Sequence, residues 1–179
     1  MDDAAGEAFD KVAKMLNLGY PGGPIISELA KKGQPIYELP VPMVHSQDLN
    51  FSFSGLKTAC LYKIRSSKFE TRNDYCNFAA SFEKSVARAL MIKLEKAIQL
   101  IKPKQIVLGG GVISNLQVRT ETRKVGRKFG VPVFMAYTKK LFTDNAAMIG
   151  VCAWYQAQRG DFVKKIDQLD RLPNLTFYA

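Results

Sequence analysis

The chain has 179 residues, enough for one domain, or one lobe of a two-lobed enzyme, with a real hydrophobic core. Lysine and arginine outnumber aspartate and glutamate by ten, which favours a polyanion such as RNA as partner, although many basic proteins bind no nucleic acid. Its three cysteines are too few and too scattered for a disulfide framework or a zinc knuckle, and no apolar run reaches the roughly 20 residues of a membrane span, so we expect a cytoplasmic protein that makes no contact with a membrane.

The first quarter of the chain is typical of two helices and a connector. Apolar residues from Ala8 to Leu16 recur at helical spacing, and the proline- and glycine-rich turn at 20–24 ends this helix. A second helix is predicted over 25–32. Three prolines then predict an irregular connector between residues 34 and 48, which we expect to join subdomains.

Strands and helices are predicted from there to about residue 101. The apolar-polar alternation at 49–53 predicts a half-buried strand, and a helix is expected to start near Leu56. Apolar residues at every fourth position from Phe78 to Ile98 predict the longest helix, from about Asp74 to Ile101. That periodicity by itself indicates packing and no more.

Two further strand-helix pairs complete the pattern. Strands are predicted at 105–108 and 131–135, and the last helix is predicted to begin at Thr143 and Asp144 and to run to Gln158. Residues after Gly160 lose the helical pattern, and the motif at 172–174 is typical of a tail. The alternation predicts an α/β layered domain with a partly parallel sheet, in which ligands gather at the carboxyl ends of the strands.

Three consecutive glycines, 109–111, follow the second predicted strand, and a helix is predicted from Ser114 or Asn115. Glycines allow a ligand to approach the backbone, and the N–H groups of a helix start favour a phosphate or ribose oxygen. The spacing matches neither a Walker loop nor a dinucleotide fingerprint. A nucleotide site and a tight turn at the edge of the sheet therefore both remain open from this segment alone.

Small residues beside carboxylates mark both ends of the chain, at 2–11 and 142–149, and suit the binding of a nucleotide or a metal. Together with three other segments they resemble the TsaD family, once called Gcp glycoproteases, in its bacterial and organellar form. The resemblance covers nearly the whole chain in the family's order. Its five motifs are Asp2–Lys11, Tyr20–Pro24, Phe51–Ala59, Gly109–Val112 with Asn115, and Thr143–Ile149.

The resemblance implies an α/β fold of the actin-like, Hsp70-like ATPase (ASKHA) type, in which two RNase H-like lobes face a nucleotide cleft. This chain would be mainly the second lobe. Residues 1–48 would form a helical segment and connector of the cleft, 49–160 the RNase H-like lobe, and 161–179 a C-terminal tail. The implied activity is transfer of a threonylcarbamoyl group from threonylcarbamoyl-AMP to the adenosine next to the anticodon of tRNA.

The motifs also imply particular site residues. Asp144 would be a ligand of an iron or zinc ion, while no catalytic residue is assigned. A carboxylate accepts both ribose hydroxyls, an amide both donates and accepts, and glycines leave room for the nucleotide. The implied substrate-binding residues, for ATP or threonylcarbamoyl-AMP, are Asp10, Gly23, Gly110, Gly111 and Asn115.

By the same resemblance, the partners would be tRNA, a TsaB-like paralogue and a TsaE-like ATPase. The family takes two further metal-binding histidines, one helical turn apart, and a Ser-Gly-Gly loop from its first lobe. This chain has a single histidine, His45, which is expected to be a solvated side chain of the connector. We therefore expect a truncated product or the C-terminal half of a longer protein, inactive by itself and prone to self-association through uncovered apolar surface.

Two other functions stay open at this point. A lone lobe would serve as a non-catalytic scaffold or decoy that binds nucleotide or a partner. The old metallopeptidase label is disfavoured, because the sequence contains no His-Glu-x-x-His helix and only one histidine.

Overall fold

The computed structural model describes residues 4–67, 69–168 and 170 of the chain. Contacts group the chain into two units, Met1–Thr143 and Asp144–Ala179. The domain boundaries predicted after residues 48 and 160 stay predictions. The predicted tail motif at 172–174 and the first two acidic residues of the first motif lie outside the described residues.

Helices dominate the described part of the chain. Short 3-10 turns lie at Gly111–Ser114, Lys139–Leu141 and Ile166–Gln168. The helices and strands are α1 Ala5–Met15, α2 Gly22–Ala30, α3 Ser54–Ser66, α4 Arg72–Ile101, β1 Ile106–Leu108, α5 Leu116–Phe129, β2 Val133–Met135 and α6 Ala146–Gln158.

Helix α4 is the longest element and packs against both α2 and α5. It begins with a capping box, in which Thr71 Oγ1 accepts the Asp74 N–H at 3.3 Å and the Asp74 carboxylate accepts the Thr71 N–H at 2.9 Å. Its end at Ile101 is as predicted, because Lys102 takes a left-handed φ of 50° immediately before a proline. The predicted stripe from Phe78 to Ile98 faces the interior, as expected.

The hydrophobic core lies among α1, α2, α3 and α4. Phe9 of α1 meets Phe82 of α4 edge to face, with ring centroids 5.0 Å apart, and Ile26 of α2 and Leu56 of α3 are fully buried beside them. Such aromatic pairs add about 0.5–1.5 kcal/mol beyond their buried area. The core fixes the mutual arrangement of α1 and α2, on which the candidate site depends.

The connector between α2 and α3 has no regular structure, as the prolines predicted, but the strand predicted at 49–53 is wrong. Asp48 accepts a hydrogen bond from the Asn50 N–H at 3.0 Å and from Ser46 Oγ at 2.6 Å, so local turns occupy polar groups that a ladder would need. The buried Lys93 Nζ donates to the Asp48 carbonyl at 2.6 Å and fixes this loop to α4. Only Phe53 of the segment is buried, at the start of α3.

Strands β1 and β2 pair in parallel, with Ile106 opposite Val133 and Leu108 opposite Met135. Helix α5 connects them, which confirms the predicted parallel strand-helix-strand unit. The described strands form one two-stranded sheet, whose outward residues Val107 and Phe134 are exposed.

Helix α6 starts later than predicted. Asn145, rather than Thr143 or Asp144, is its N-cap, and Asn145 Oδ1 accepts the Met148 N–H at 3.0 Å. No residue of α6 is buried. None of the described helices combines the length and the apolar character needed to cross a membrane.

Candidate functional site

Asp10 on α1 fixes the N-terminus of α2. Its Oδ1 accepts the backbone N–H of Gly22 at 2.7 Å, at the helix end where a negative charge is favourable. The two helices approach so closely there that a Cβ at Gly22 would lie 2.5 Å from the Cβ of Ala13. The next residue, Gly23, faces open space, since a Cβ there would meet no atom within 4 Å. The carboxylate and the open glycine therefore lie side by side at one helix elbow.

The glycine loop lies at the carboxyl end of β1, as predicted. Gly110 has a φ of 92°, a conformation that favours glycine, and its N–H donates to the Phe142 carbonyl at 2.6 Å. Gly111 begins the short 3-10 turn that leads to α5. A Cβ on Gly6 of α1 would lie 3.7 Å from Val112 Cγ2, so the loop also touches the start of α1.

Asn115 joins three helices with one side chain. Its Oδ1 accepts the Val118 N–H at 2.9 Å and so caps α5, while its Nδ2 donates to Ser27 Oγ of α2 at 2.8 Å and to Glu83 Oε1 of α4. The residue is 6% exposed. Asn115 is therefore a structural link as well as a predicted substrate contact.

Glu83 and Ser27 belong to this cluster but lie outside the five motifs. Ser27 Oγ donates to Glu83 Oε1 at 3.1 Å, in addition to the bond from Asn115. Burial raises the pKa of the Glu83 carboxyl, and the hydrogen bonds from Asn115 and Ser27, with the nearby Lys31, oppose that rise only in part. A sequence signal did exist, because Glu83 occupies the same helical row as Ala79 and Ala87, which are both buried.

The first unit brings five predicted residues into one connected arrangement. Asp10 and Gly23 lie at the α1–α2 elbow, and one turn further along α2 Ser27 bonds to Asn115. Gly110 and Gly111 precede Asn115 in the loop that touches α1. The arrangement offers a carboxylate, a buried amide and an open backbone turn, which are groups suited to a nucleoside with its attached phosphate.

Asp144 lies in the second unit, immediately before the cap of α6, and is exposed. Among the residues that the structure describes, no three potential ligands from His, Cys, Asp and Glu come together. The exposed His45 lies in the connector, as expected. These residues do not fit a complete metal site, because a structural or catalytic iron or zinc needs at least three protein ligands.

Comparison with known proteins identifies the family. Residues 1–151 match the model of TsaD, described as tRNA N6-adenosine threonylcarbamoyltransferase. The chain belongs to the TsaD family. The resemblance drawn from the five motifs is thereby confirmed.

Curated relatives with the same description come from several bacteria. A protein of Carboxydothermus hydrogenoformans is 43% identical over 162 residues, which are 90% of this chain and 47% of the relative. A protein of Nautilia profundicola is 42% identical over 99% of this chain and 52% of the relative. A protein of Polynucleobacter asymbioticus is 46% identical over 83% of this chain and 44% of the relative. The chain thus spans about half the length of these TsaD relatives.

A solved structure supports the fold. The crystal structure of HypF from T. kodakarensis superposes with a TM-score of 0.65 over 92% of this chain and 21% of that chain, at 22% sequence identity. With the TsaD match, this likeness confirms the expected α/β fold of the ASKHA type.

Proposed function

We propose that this chain forms the adenylate-binding part of a tRNA N6-adenosine threonylcarbamoyltransferase, which transfers threonylcarbamoyl from threonylcarbamoyl-AMP to the adenosine beside the tRNA anticodon. The observation that carries the proposal is the linkage of Asp10, Gly23, the glycine loop and Asn115 within one unit. Family membership supports the reaction, and the relatives' greater length supports a contribution from residues that this chain does not contain.

In this proposal the Asp10 carboxylate accepts the ribose hydroxyls, while its bond to Gly22 fixes its orientation. Gly23 and the 110–111 turn leave the nucleotide room, and Asn115 contributes polar atoms if its bonds to Ser27 and Glu83 rearrange on binding. Asp144 would be one carboxylate ligand of an iron or zinc ion, whose other ligands would have to come from outside the described residues of this chain.

The proposed partners are tRNA, a TsaB-like paralogue, a TsaE-like ATPase and a second copy of the chain. A cytoplasmic location belongs to the same proposal and agrees with free thiols at Cys60, Cys76 and Cys152. A non-catalytic nucleotide- or partner-binding lobe is the alternative, favoured by the missing half-length and the incomplete metal site.

Calorimetric titration with ATP and with a stable threonylcarbamoyl-adenylate analogue tests the proposal. The variant Asp10→Asn keeps an oxygen for the Gly22 N–H but loses the charge, and we expect it to bind the analogue about 10- to 100-fold more weakly. The control Glu28→Gln removes one charge from an exposed salt bridge with Lys31 on α2 and should bind normally. No binding by the wild-type chain, or equal binding by both variants, would contradict the proposal.

The same preparation should make no threonylcarbamoyladenosine when mixed with tRNA and threonylcarbamoyl-AMP. The chain has one histidine, and no described residue is seen to position the reacting carbonyl of threonylcarbamoyl-AMP. Mass spectrometry of the tRNA nucleosides measures the product. Abundant product would contradict the expected dependence on the missing part and would also exclude the non-catalytic alternative.

A further inference from the structure

Helix α5 carries two kinds of basic side chain. Lys124 pairs with Glu121 at 2.8 Å, and Lys128 pairs with Glu95 of α4 at 2.9 Å. Three arginines recur at every fourth position of the same helix and so lie along one stripe of its surface. Within the described residues none of the three forms an ion pair with a carboxylate. These are Arg119, Arg123 and Arg127, called here the arginine row.

Neighbouring apolar side chains orient the row without neutralising it. The Arg119 guanidinium lies 5.6 Å from the centre of the Phe142 ring, and Arg123 Nη2 lies 3.3 Å from Met135 Sδ. Arg123 and Arg127 border a shallow groove of about 530 Å³, which residues 130–133 also line. Guanidinium groups that already rest on neighbouring side chains lose less freedom when they bind an anion.

The row starts beside the candidate adenylate site and leads away from it. Helix α5 is capped by Asn115, and Phe142, on which Arg119 lies, accepts the Gly110 N–H through its carbonyl. Arg119 and Arg127 are eight positions apart, so the row extends roughly 12 Å along the helix. A polyanion whose reacting unit lies at the edge of this site would have its next units along this stripe.

We propose that the arginine row binds the sugar-phosphate backbone of a tRNA whose acceptor adenosine lies next to the adenylate held in the candidate site. The inference rests on the proposed function and adds the docking surface to it. Planar guanidinium groups bind phosphate oxygens in pairs, and the chain's net charge of +10 attracts a polyanion. Tyr137, Lys139 and Lys140 are exposed and shortly precede Phe142 in the chain, so this segment offers further charge and a ring on which a base can stack.

The two kinds of basic residue on α5 provide a charge-matched test. Arg123→Gln with Arg127→Gln, and Lys124→Gln with Lys128→Gln, each remove two positive charges from the same helix. Binding of unmodified tRNA is measured by fluorescence anisotropy at several salt concentrations. We expect the arginine double variant to bind tRNA about tenfold or more weakly than the wild type. The slope of log affinity against log salt concentration should fall by roughly 0.7–0.9 per lost phosphate contact. The lysine pair should change both quantities far less, and thermal unfolding checks that both variants fold.

Equal weakening by both pairs would overturn the proposal in favour of diffuse charge, as would no binding of tRNA to the wild-type chain. If the arginine double variant still bound tRNA but no longer bound anionic lipid vesicles, the row would be a membrane-binding surface and the proposal would be wrong. Titration of the arginine pair with the adenylate analogue separates this proposal from the proposed function. Normal analogue binding with weakened tRNA binding supports the row, whereas failure of the analogue on the wild-type chain counts against the adenylate site alone.

Discussion

Glu83 combines a carboxylate with a partly buried position among α2, α4 and α5, and its ionisation should therefore affect stability. Because burial raises its pKa above the ordinary 4.5, the folded protein holds this proton more tightly than the unfolded chain does. The resulting stabilisation is fully present below pH 4.5 and is lost as the pH rises through the raised pKa. Glu83→Gln keeps an acceptor for Asn115 and Ser27 but has no charge to bury.

The melting temperature of Glu83→Gln, minus that of the wild type, should therefore increase from acidic to neutral pH. Thermal unfolding followed by circular dichroism across this range measures the difference. Glu38→Gln removes the same charge from an exposed position in the connector and serves as control. A difference that stays constant with pH, or falls, would mean that Glu83 is charged in the folded protein without penalty.

Asn115 shows what could be predicted at the scale of single residues. The resemblance to the TsaD motifs selected Asn115, as it did Asp10, and the substrate contact of each residue stays a prediction. The bond from Asn115 to Glu83 was not predictable, because this bond depends on the packing of the start of α5 against the middle of α4, which periodicity within either helix does not reveal. An Asn115→Ala substitution would also remove the cap of α5, which typically costs about 1 kcal/mol, so any loss of binding would have two causes.

At the scale of elements, the close approach of Gly33 to α4 sets how the end of α2 packs. A Cβ on Gly33 would lie 2.0 Å from the carbonyl oxygen of Cys76, and backbone of a long helix cannot move away easily. We expect Gly33→Ala to lower the free energy of unfolding by about 1–3 kcal/mol or more. Gly55→Ala, inside α3, meets no atom within 4 Å and should instead raise it by about 0.5–1 kcal/mol.

Urea denaturation of the two glycine variants measures both changes. Opposite signs are expected from the same chemical substitution, since only one of the sites lacks space. A small effect at Gly33 would show that the loop after α2 shifts to accommodate the methyl group, and the contact with Cys76 would then not define the packing.

Elements were predictable where one chain segment determines its own structure. The spacing of Phe78, Phe82 and Val86 was enough for α4, and β-α-β order was enough for the parallel pair. The strand predicted at 49–53 was wrong because the alternation of apolar and polar residues shows which side chains face the interior but not whether a partner strand exists. Its last residue, Phe53, is buried, yet by helices. The predicted start of α6 was wrong because Thr143, Asp144 and Asn145 are consecutive and each is a residue type that caps helices well.

At the scale of the whole molecule, two surfaces should respond to salt in opposite ways. The arginine row acts through charge, so binding of RNA weakens as salt increases. Helix α6, by contrast, exposes large apolar side chains along its length. They are Met148, Ile149, Val151, Trp154 and Tyr155. Repulsion between chains of net charge +10 opposes contact through this helix, and salt screens that repulsion.

We therefore expect the chain to self-associate, and to do so more strongly at higher salt, because burying the exposed α6 side chains removes apolar surface from water. Sedimentation velocity over a wide concentration range measures the association. Ile149→Lys, at a side chain 62% exposed, should shift the chain to monomer, whereas Leu100→Lys, at one 75% exposed on α4, should not. Association that weakens with salt, or that Leu100→Lys abolishes equally, would place the contact outside α6.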